Sequence, residues 1–132
     1  MCLKRTLWTT MLMLLSSGVL GAGIATGLTT SLLEMPIELD DGSSRRLSAV
    51  VGKQPVYLKF WASWCVPCRK QMDHLQSVYE KYGDDLAVIS VNIWINESRQ
   101  EVESTKQAFG LTVPIALDKS GELTRAFNFP GT

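Results

Sequence analysis

The sequence predicts an α/β domain in which helices flank a mostly parallel sheet. Three observations carry this. Two short apolar runs, 55–61 and 86–93, are rich in β-branched and aromatic residues and read as strands. Each run is followed by a stretch whose apolar residues recur at helical spacing. The second run is almost continuously apolar, the pattern of a strand covered on both faces, as parallel sheets require. Strand–helix–strand–helix order lays helices over such a sheet. A length of 132 residues suits one such domain with a modest core.

The chain opens with Lys4 and Arg5, followed by an uncharged stretch over 6–33 with an apolar centre at 11–15. Basic, then apolar, then small residues is the order of an export signal. The segment 7–28 is also long enough for a spanning helix, which needs about 20 mainly apolar residues. Residues 1–33 are therefore read as a signal peptide or N-terminal membrane anchor. The positive residues ahead of the span place the N-terminus inside and residues 34–132 outside. Cys2 falls on the inner side or in a removed peptide and receives no role. The chain has thirteen basic and thirteen acidic residues, and with Lys4 and Arg5 set aside eleven basic residues remain. A mildly acidic body has no electrostatic reason to bind nucleic acid.

Residues 31–34 read as a junction. The stretch 35–39 alternates apolar and polar residues, meets the turn dipeptide Asp41-Gly42 and returns at 46–47, predicting a small hairpin. Residues 48–51 read as one helical turn, closed by Gly52. The run 55–61 reads as a buried strand. After Cys65, Met72, Leu75, Val78, Tyr79 and Tyr82 share a helical face, with Lys70, Asp73, Gln76 and Lys81 opposite and Gly83 as the stop. A second helix spans 99–109, with Val102 and Phe109 inward and Gly110 at its end. The remaining elements are a short strand at 113–117, a turn at 119–122 and a last helical turn at 123–127.

The chemistry concentrates in Phe60-Trp61-Ala62-Ser63-Trp64-Cys65-Val66-Pro67-Cys68-Arg69. A strand ends at Trp61 and a helix begins at or near Cys65. Unpaired N–H groups and the positive end of the helix dipole favour a thiolate there. A free cysteine, with pKa about 8.5, is only ~3% ionised at pH 7, and lowering the pKa toward 7 brings it to about half. Pro67 suits the first turn, where its missing N–H costs nothing. Two intervening residues bring the sulfurs within reach of a disulfide. Cys65, the more N-terminal and more exposed, attacks a substrate disulfide, and Cys68, more buried, resolves the mixed disulfide. Half of a structural zinc site is the competing use of Cys-x-x-Cys. Zinc takes four ligands, often from two such pairs. This chain has no second pair, and His74, its single histidine, reads as a solvated helix residue. No metal or other cofactor is assigned.

The segment from Trp61 to Cys68 resembles the active-site segment of thioredoxin-fold proteins, and is most similar to the membrane-anchored TlpA/ResA type of thiol–disulfide oxidoreductase. The resemblance runs from about Met35 to the last residue, and includes the opening hairpin and Val113-Pro114-Ile115-Ala116-Leu117-Asp118 with its Gly121 turn. It implies a thioredoxin-like fold and a dithiol that reduces disulfides in exported proteins, as in cytochrome c maturation. The implied partners are disulfide-containing exported proteins and a membrane thiol electron donor, in the periplasm or another extracytoplasmic space. Glu97 matches the family's glutamate after the second core strand, a proton-transfer or pKa-tuning group. Trp64 matches the tryptophan before the first cysteine and, with Val66 and Pro67, is assigned to the substrate surface. Trp94 has no counterpart and reads as a packing residue. The family pattern also includes a cis-proline loop facing the dithiol, a hairpin and a closing helix. This chain ends at Phe129-Pro130-Gly131-Thr132, where that loop is expected. A C-terminally incomplete domain is therefore expected, with an inactive fragment or a copper-handling dithiol module as alternatives.

The topology is testable. A reporter fused after Thr132 is expected to be active only outside the cytoplasm. Activity inside, without membrane association, contradicts both export and anchoring.

Overall fold

A computed structural model of the chain describes residues 29–130. Signal, anchor and Cys2 lie outside the described residues. Among the described residues, no helix is long and apolar enough to cross a membrane.

The fold is assembled from α1 (Thr30–Glu34), β1 (Ile37–Glu38), β2 (Ser44–Arg45), a 3-10 turn (Leu47–Ala49), β3 (Val56–Trp61), α2 (Val66–Arg69), α3 (Met72–Tyr82), β4 (Ala87–Asn92), α4 (Arg99–Ala108), β5 (Ile115–Leu117) and α5 (Glu122–Ala126). The stretch read as a junction is thus a helical turn. Thr29 caps it by accepting from the Leu32 N–H, and Leu32 is buried.

Strands β3, β4 and β5 form a parallel sheet with β4 in the centre. The pairing of β3 with β4 runs in register from Val56/Ala87 to Trp61/Asn92. All six residues of β4 are buried, as its apolar run predicts. The expectation of a buried strand at 55–61 fails in part: five of the six β3 residues are only half-buried. Among the described residues β3 is an edge strand, so neighbours cover it less completely than β4. The β1–β2 hairpin docks at the other edge, where Leu39 bridges Ala116 and the Asp40 N–H donates to the Ile115 carbonyl at 2.9 Å.

Side chains alternate across a strand, so the sheet separates two apolar clusters. Trp61, Val88, Met72, Leu75, Val102, Leu111 and Ile115 pack on the side of α3 and α4. Ile89, Val91 and Ala116 point the other way, against Leu32, Ile37, Leu47 and Leu123. Trp61, Met72 and Leu75 are fully covered, each contributing roughly 1.5–3 kcal/mol by burial.

The helix expected after Cys65 is divided. The Gln71 N–H bonds to the Cys68 carbonyl, three residues back, which tightens one turn and separates α2 from α3. Two helical-face assignments are corrected as well. Gln76, placed on the polar face, is buried. Its carboxamide oxygen accepts from the Thr112 N–H at 2.8 Å and its amide donates to the Thr112 hydroxyl at 2.7 Å. It ties α3 to the loop before β5, which hydrophobic periodicity does not reveal. Tyr82, placed inward, is exposed at the last turn beside the Lys81 ammonium. On α4, Val102 is buried, whereas Phe109 is half-buried under the Arg69 guanidinium.

Charged groups fasten the hairpin to the rest. Glu38 accepts from Lys119 and Arg99. Asp40 pairs with Lys106 on α4, and its other carboxylate oxygen accepts from the Ile115 N–H. The Lys119 hydrogen bond, chiefly, holds the Glu38 carboxyl below its ordinary 4.5. The Asp40 hydrogen bond raises Lys106 above its ordinary 10.5. The Glu38 contribution to stability is therefore present above pH 4.5 and is lost as pH falls through the lowered folded value. That of Lys106 is present below pH 10.5 and is lost as pH rises through the raised one. In denaturant melts, Glu38→Gln is expected to lower the midpoint at pH 7 and to converge on the parent chain in acid. A pH-independent gap between them contradicts the clamp.

Candidate active site

Both segments of the site leave the sheet at one level, because β3 ends at Trp61 opposite the end of β4 at Asn92. After β3 the chain turns through Ala62-Ser63-Trp64, and Cys65 takes the N-cap of α2 with extended backbone. Pro67 lies in the first helical turn, consistent with its missing N–H.

Cys65 and Cys68 form a disulfide, with Cα atoms 5.2 Å apart. The Cys68 N–H donates to Cys65 Sγ at 3.2 Å. This is the N-cap hydrogen bond, made here to sulfur instead of oxygen. In the reduced protein the same N–H meets whatever charge Cys65 carries and favours the thiolate. α2 has only four residues, so its dipole is small and this aimed donor is the larger effect. The expected difference in exposure is not found: Cys65 is 3% and Cys68 8% exposed. Both sulfurs are drawn into the apolar cluster around Trp61 and Met72 while they are bonded to each other. Accessibility thus does not distinguish the two cysteines, whereas the N-cap position singles out Cys65.

Exposed apolar side chains flank this buried pair. Trp64 is 45% and Val66 60% exposed, flanking Cys65 on either side in sequence. The Trp64 indole N–H donates to the Ile95 carbonyl at 2.7 Å, and Ile95 is itself exposed. The sheet ends thus bring the 93–98 loop against the dithiol turn.

Glu97 lies at the end of that loop. One carboxylate oxygen accepts from the Ser63 N–H at 2.5 Å, across 34 residues of sequence. The other oxygen is buried and has no partner among the described residues. Glu97 is thus fixed two residues before Cys65, near the chemistry and not merely capping α4. That cap is Ser98, which accepts from the Glu101 N–H. Trp94 is half-buried against the main apolar cluster, with the Lys119 ammonium over its ring. Its left-handed backbone, shared by Asn96, was not read from sequence. Asparagine tolerates that region better than most residues, whereas tryptophan rarely adopts it.

His74 is exposed on α3. Among the described residues, no group of three or more His, Cys, Asp or Glu side chains is placed to hold a metal ion.

Comparison with known proteins agrees with this geometry. Residues 31–132 match the AhpC/TSA family. The thioredoxin-like protein YneN of Bacillus subtilis (strain 168) is 40% identical over 81 residues, covering 61% of this chain and 47% of the relative. The thiol-disulfide oxidoreductase ResA of Geobacillus kaustophilus (strain HTA426) is 35% identical over 88 residues, covering 66% and 49%. The crystal structure of StoA from Bacillus subtilis superposes with a TM-score of 0.61 at 31% identity, covering 72% of this chain and 71% of StoA. The chain spans about half the length of these first two curated relatives. With its parallel sheet, its N-cap cysteine and a match over residues 31–132, the chain belongs to the AhpC/TSA family and carries a thioredoxin-like fold.

Proposed function

We propose that the chain is an extracytoplasmic thiol–disulfide oxidoreductase that reduces disulfides in exported proteins, with cytochrome c maturation as one such setting. The observation that carries this is the Cys65–Cys68 disulfide at a helix start, with the Cys68 N–H aimed at Cys65 Sγ. Relatives named thiol-disulfide oxidoreductases support it. The basic and then apolar order of residues 1–33 supports export or anchoring.

In the reduced enzyme the Cys65 thiolate attacks one sulfur of a substrate disulfide. The substrate's S–S bond breaks, and its other sulfur leaves as a thiolate that takes a proton from solvent. Cys68 then loses its proton and attacks Cys65 Sγ. The mixed disulfide breaks, the second substrate thiolate departs, and Cys65–Cys68 closes. Two electrons have passed to the substrate, and a membrane thiol donor restores the dithiol by the same exchange in reverse. Glu97 receives the Cys68 proton through its unpaired oxygen. Trp64, Val66 and Pro67 offer an apolar surface to the polypeptide beside the substrate disulfide.

Cys65→Ser is expected to abolish reduction of a protein disulfide, and Cys68→Ser to accumulate a mixed disulfide through Cys65, visible by mass spectrometry of the acid-quenched reaction. Trapping through residue 68 in Cys65→Ser, with turnover retained, overturns the assignment. In rapid-quench kinetics, Glu97→Gln should slow the resolving step by about 10²-fold and leave the initial attack nearly unchanged. An equal loss in both steps argues for a positional role alone.

A further inference from the structure

Three buried polar atoms without a hydrogen-bond partner among the described residues belong to the strand ends and the loop beside the dithiol turn: Trp61 Nε1, Asn92 Nδ2 and the second carboxylate oxygen of Glu97. Trp61 and Asn92 are both 0% exposed. An orphaned buried polar group bears its full desolvation cost, so three on adjoining segments call for a common partner. Trp61 and Asn92 are register partners in adjacent parallel strands. Their side chains therefore stand on the same sheet face, about 4.8 Å apart at the backbone. The orientation of the Asn92 amide is fixed, because its oxygen accepts from the Trp94 N–H at 2.9 Å. The nitrogen is left as a free donor.

The residues that carry these atoms are linked by chain segments, strand pairing and hydrogen bonds made by their other atoms. From Trp61 the chain runs two residues to Ser63, whose N–H donates to Glu97. The loop returns from Glu97 to Trp94, which is held by Asn92. Asn92 pairs back to Trp61, and the Ile93 N–H donates to the Trp61 carbonyl at 3.0 Å. Trp61, Asn92 and Glu97 thus hold two donors and one acceptor with no partner among the described residues. Ser90 Oγ, also unpaired, sits on the same face two residues earlier, roughly 6.6 Å further from the loop.

We propose that Trp61 and Asn92 are positioning residues that seat one internal water molecule. The water accepts from Trp61 Nε1–H and Asn92 Nδ2–H and donates to the unpaired oxygen of Glu97. Internal waters typically make about three such bonds, and the donors and acceptor here match in number and kind. The water orients the carboxylate toward the dithiol and links it to the sheet. The claim deepens the proton role of Glu97 and rests on it. Other charged groups face this corner. Arg69 and Glu101 line a cleft with Ser63, while Asp118, Lys119 and Arg125 line another with Ile93 and Trp94. The Asp118 N–H donates to the Asn92 carbonyl at 2.9 Å, but none of the five side chains hydrogen-bonds the side chain of Trp61, Asn92 or Glu97 among the described residues.

The test combines water detection with a pH profile. In the isotopically labelled full chain, long-residence water cross-peaks are expected to both the Trp61 indole N–H and the Asn92 side-chain amide, and are expected to disappear in Glu97→Leu. In rapid-quench kinetics, Trp61→Phe and Asn92→Leu should each move the midpoint of the pH profile of the resolving step by about one pH unit, in the same direction as Glu97→Gln. Trp61→Phe retains most of the ring volume, so the question stays open to test if Asn92→Leu fails to fold. Absent cross-peaks, or unmoved midpoints in a folded Trp61→Phe while Glu97→Gln shifts, overturn the water seat but leave the proton role standing. Cross-peaks present with the Glu97→Gln midpoint unmoved overturn that proton role, and the positioning claim with it.

Discussion

The parallel pairing of β3 with β4 is the constraint on which the rest of this structure depends. Its six-residue register ends both strands at one level, Trp61 opposite Asn92. The dithiol turn leaves one strand end and the Glu97 loop leaves the other, so residues 34 apart in sequence meet within hydrogen-bond distance. A slip of one residue between the strands would put Trp61 and Asn92 on opposite faces of the sheet. It would also separate Ser63 from Glu97. The apolar runs of β3 and β4 therefore do more than form a core: they set the relative height of two loops.

Much of this was legible in the sequence because its cues are local. Cys-Val-Pro-Cys after a β-rich run specifies a strand, a turn and a helix start, and Cys65 is the N-cap. The run at 86–93 specifies a central strand, and all six residues of β4 are buried. What sequence did not give was nonlocal or polar. Gln76 reads as a solvent-facing residue by periodicity, because only the position of Thr112 shows what its carboxamide does. Tyr82 fits the apolar stripe but lies in the last turn of α3, beyond the cover of the sheet. The burial of Cys65 was hidden because an N-cap position ordinarily implies access, and the bonded sulfurs are instead drawn into the core. Left-handed backbone at Trp94 has no signature in composition.

The small N-terminal hairpin illustrates how polar residues secure an element with little apolar surface of its own. β1 and β2 contribute two residues each, and β2 is fully exposed. Such a ribbon is marginal in isolation. Ile37, Leu39 and Leu47 anchor it by burial. Glu38 and Asp40 then reach Arg99 and Lys106 on α4 and Lys119 after β5. The exposed Glu38 pairs contribute little singly, whereas the Asp40 carboxylate is largely covered. Sharing Glu38 between two cations, and Asp40 between a lysine and a backbone N–H, fixes the orientation of the hairpin against α4 and β5.

The brevity of α2 has a consequence for the medium in which the dithiol operates. A long helix acts on a charge at its tip through a field summed over many peptide units, and dissolved ions screen such effects progressively. Four residues sum to little, and the Cys68 N–H lies 3.2 Å from the Cys65 sulfur. That is well inside the screening length of about 8 Å at physiological ionic strength, and the sulfur is almost fully covered by protein. Counterions have no room to come between them. This contact therefore acts on the Cys65 sulfur at a range where dissolved ions screen little, unlike the summed field of a long helix.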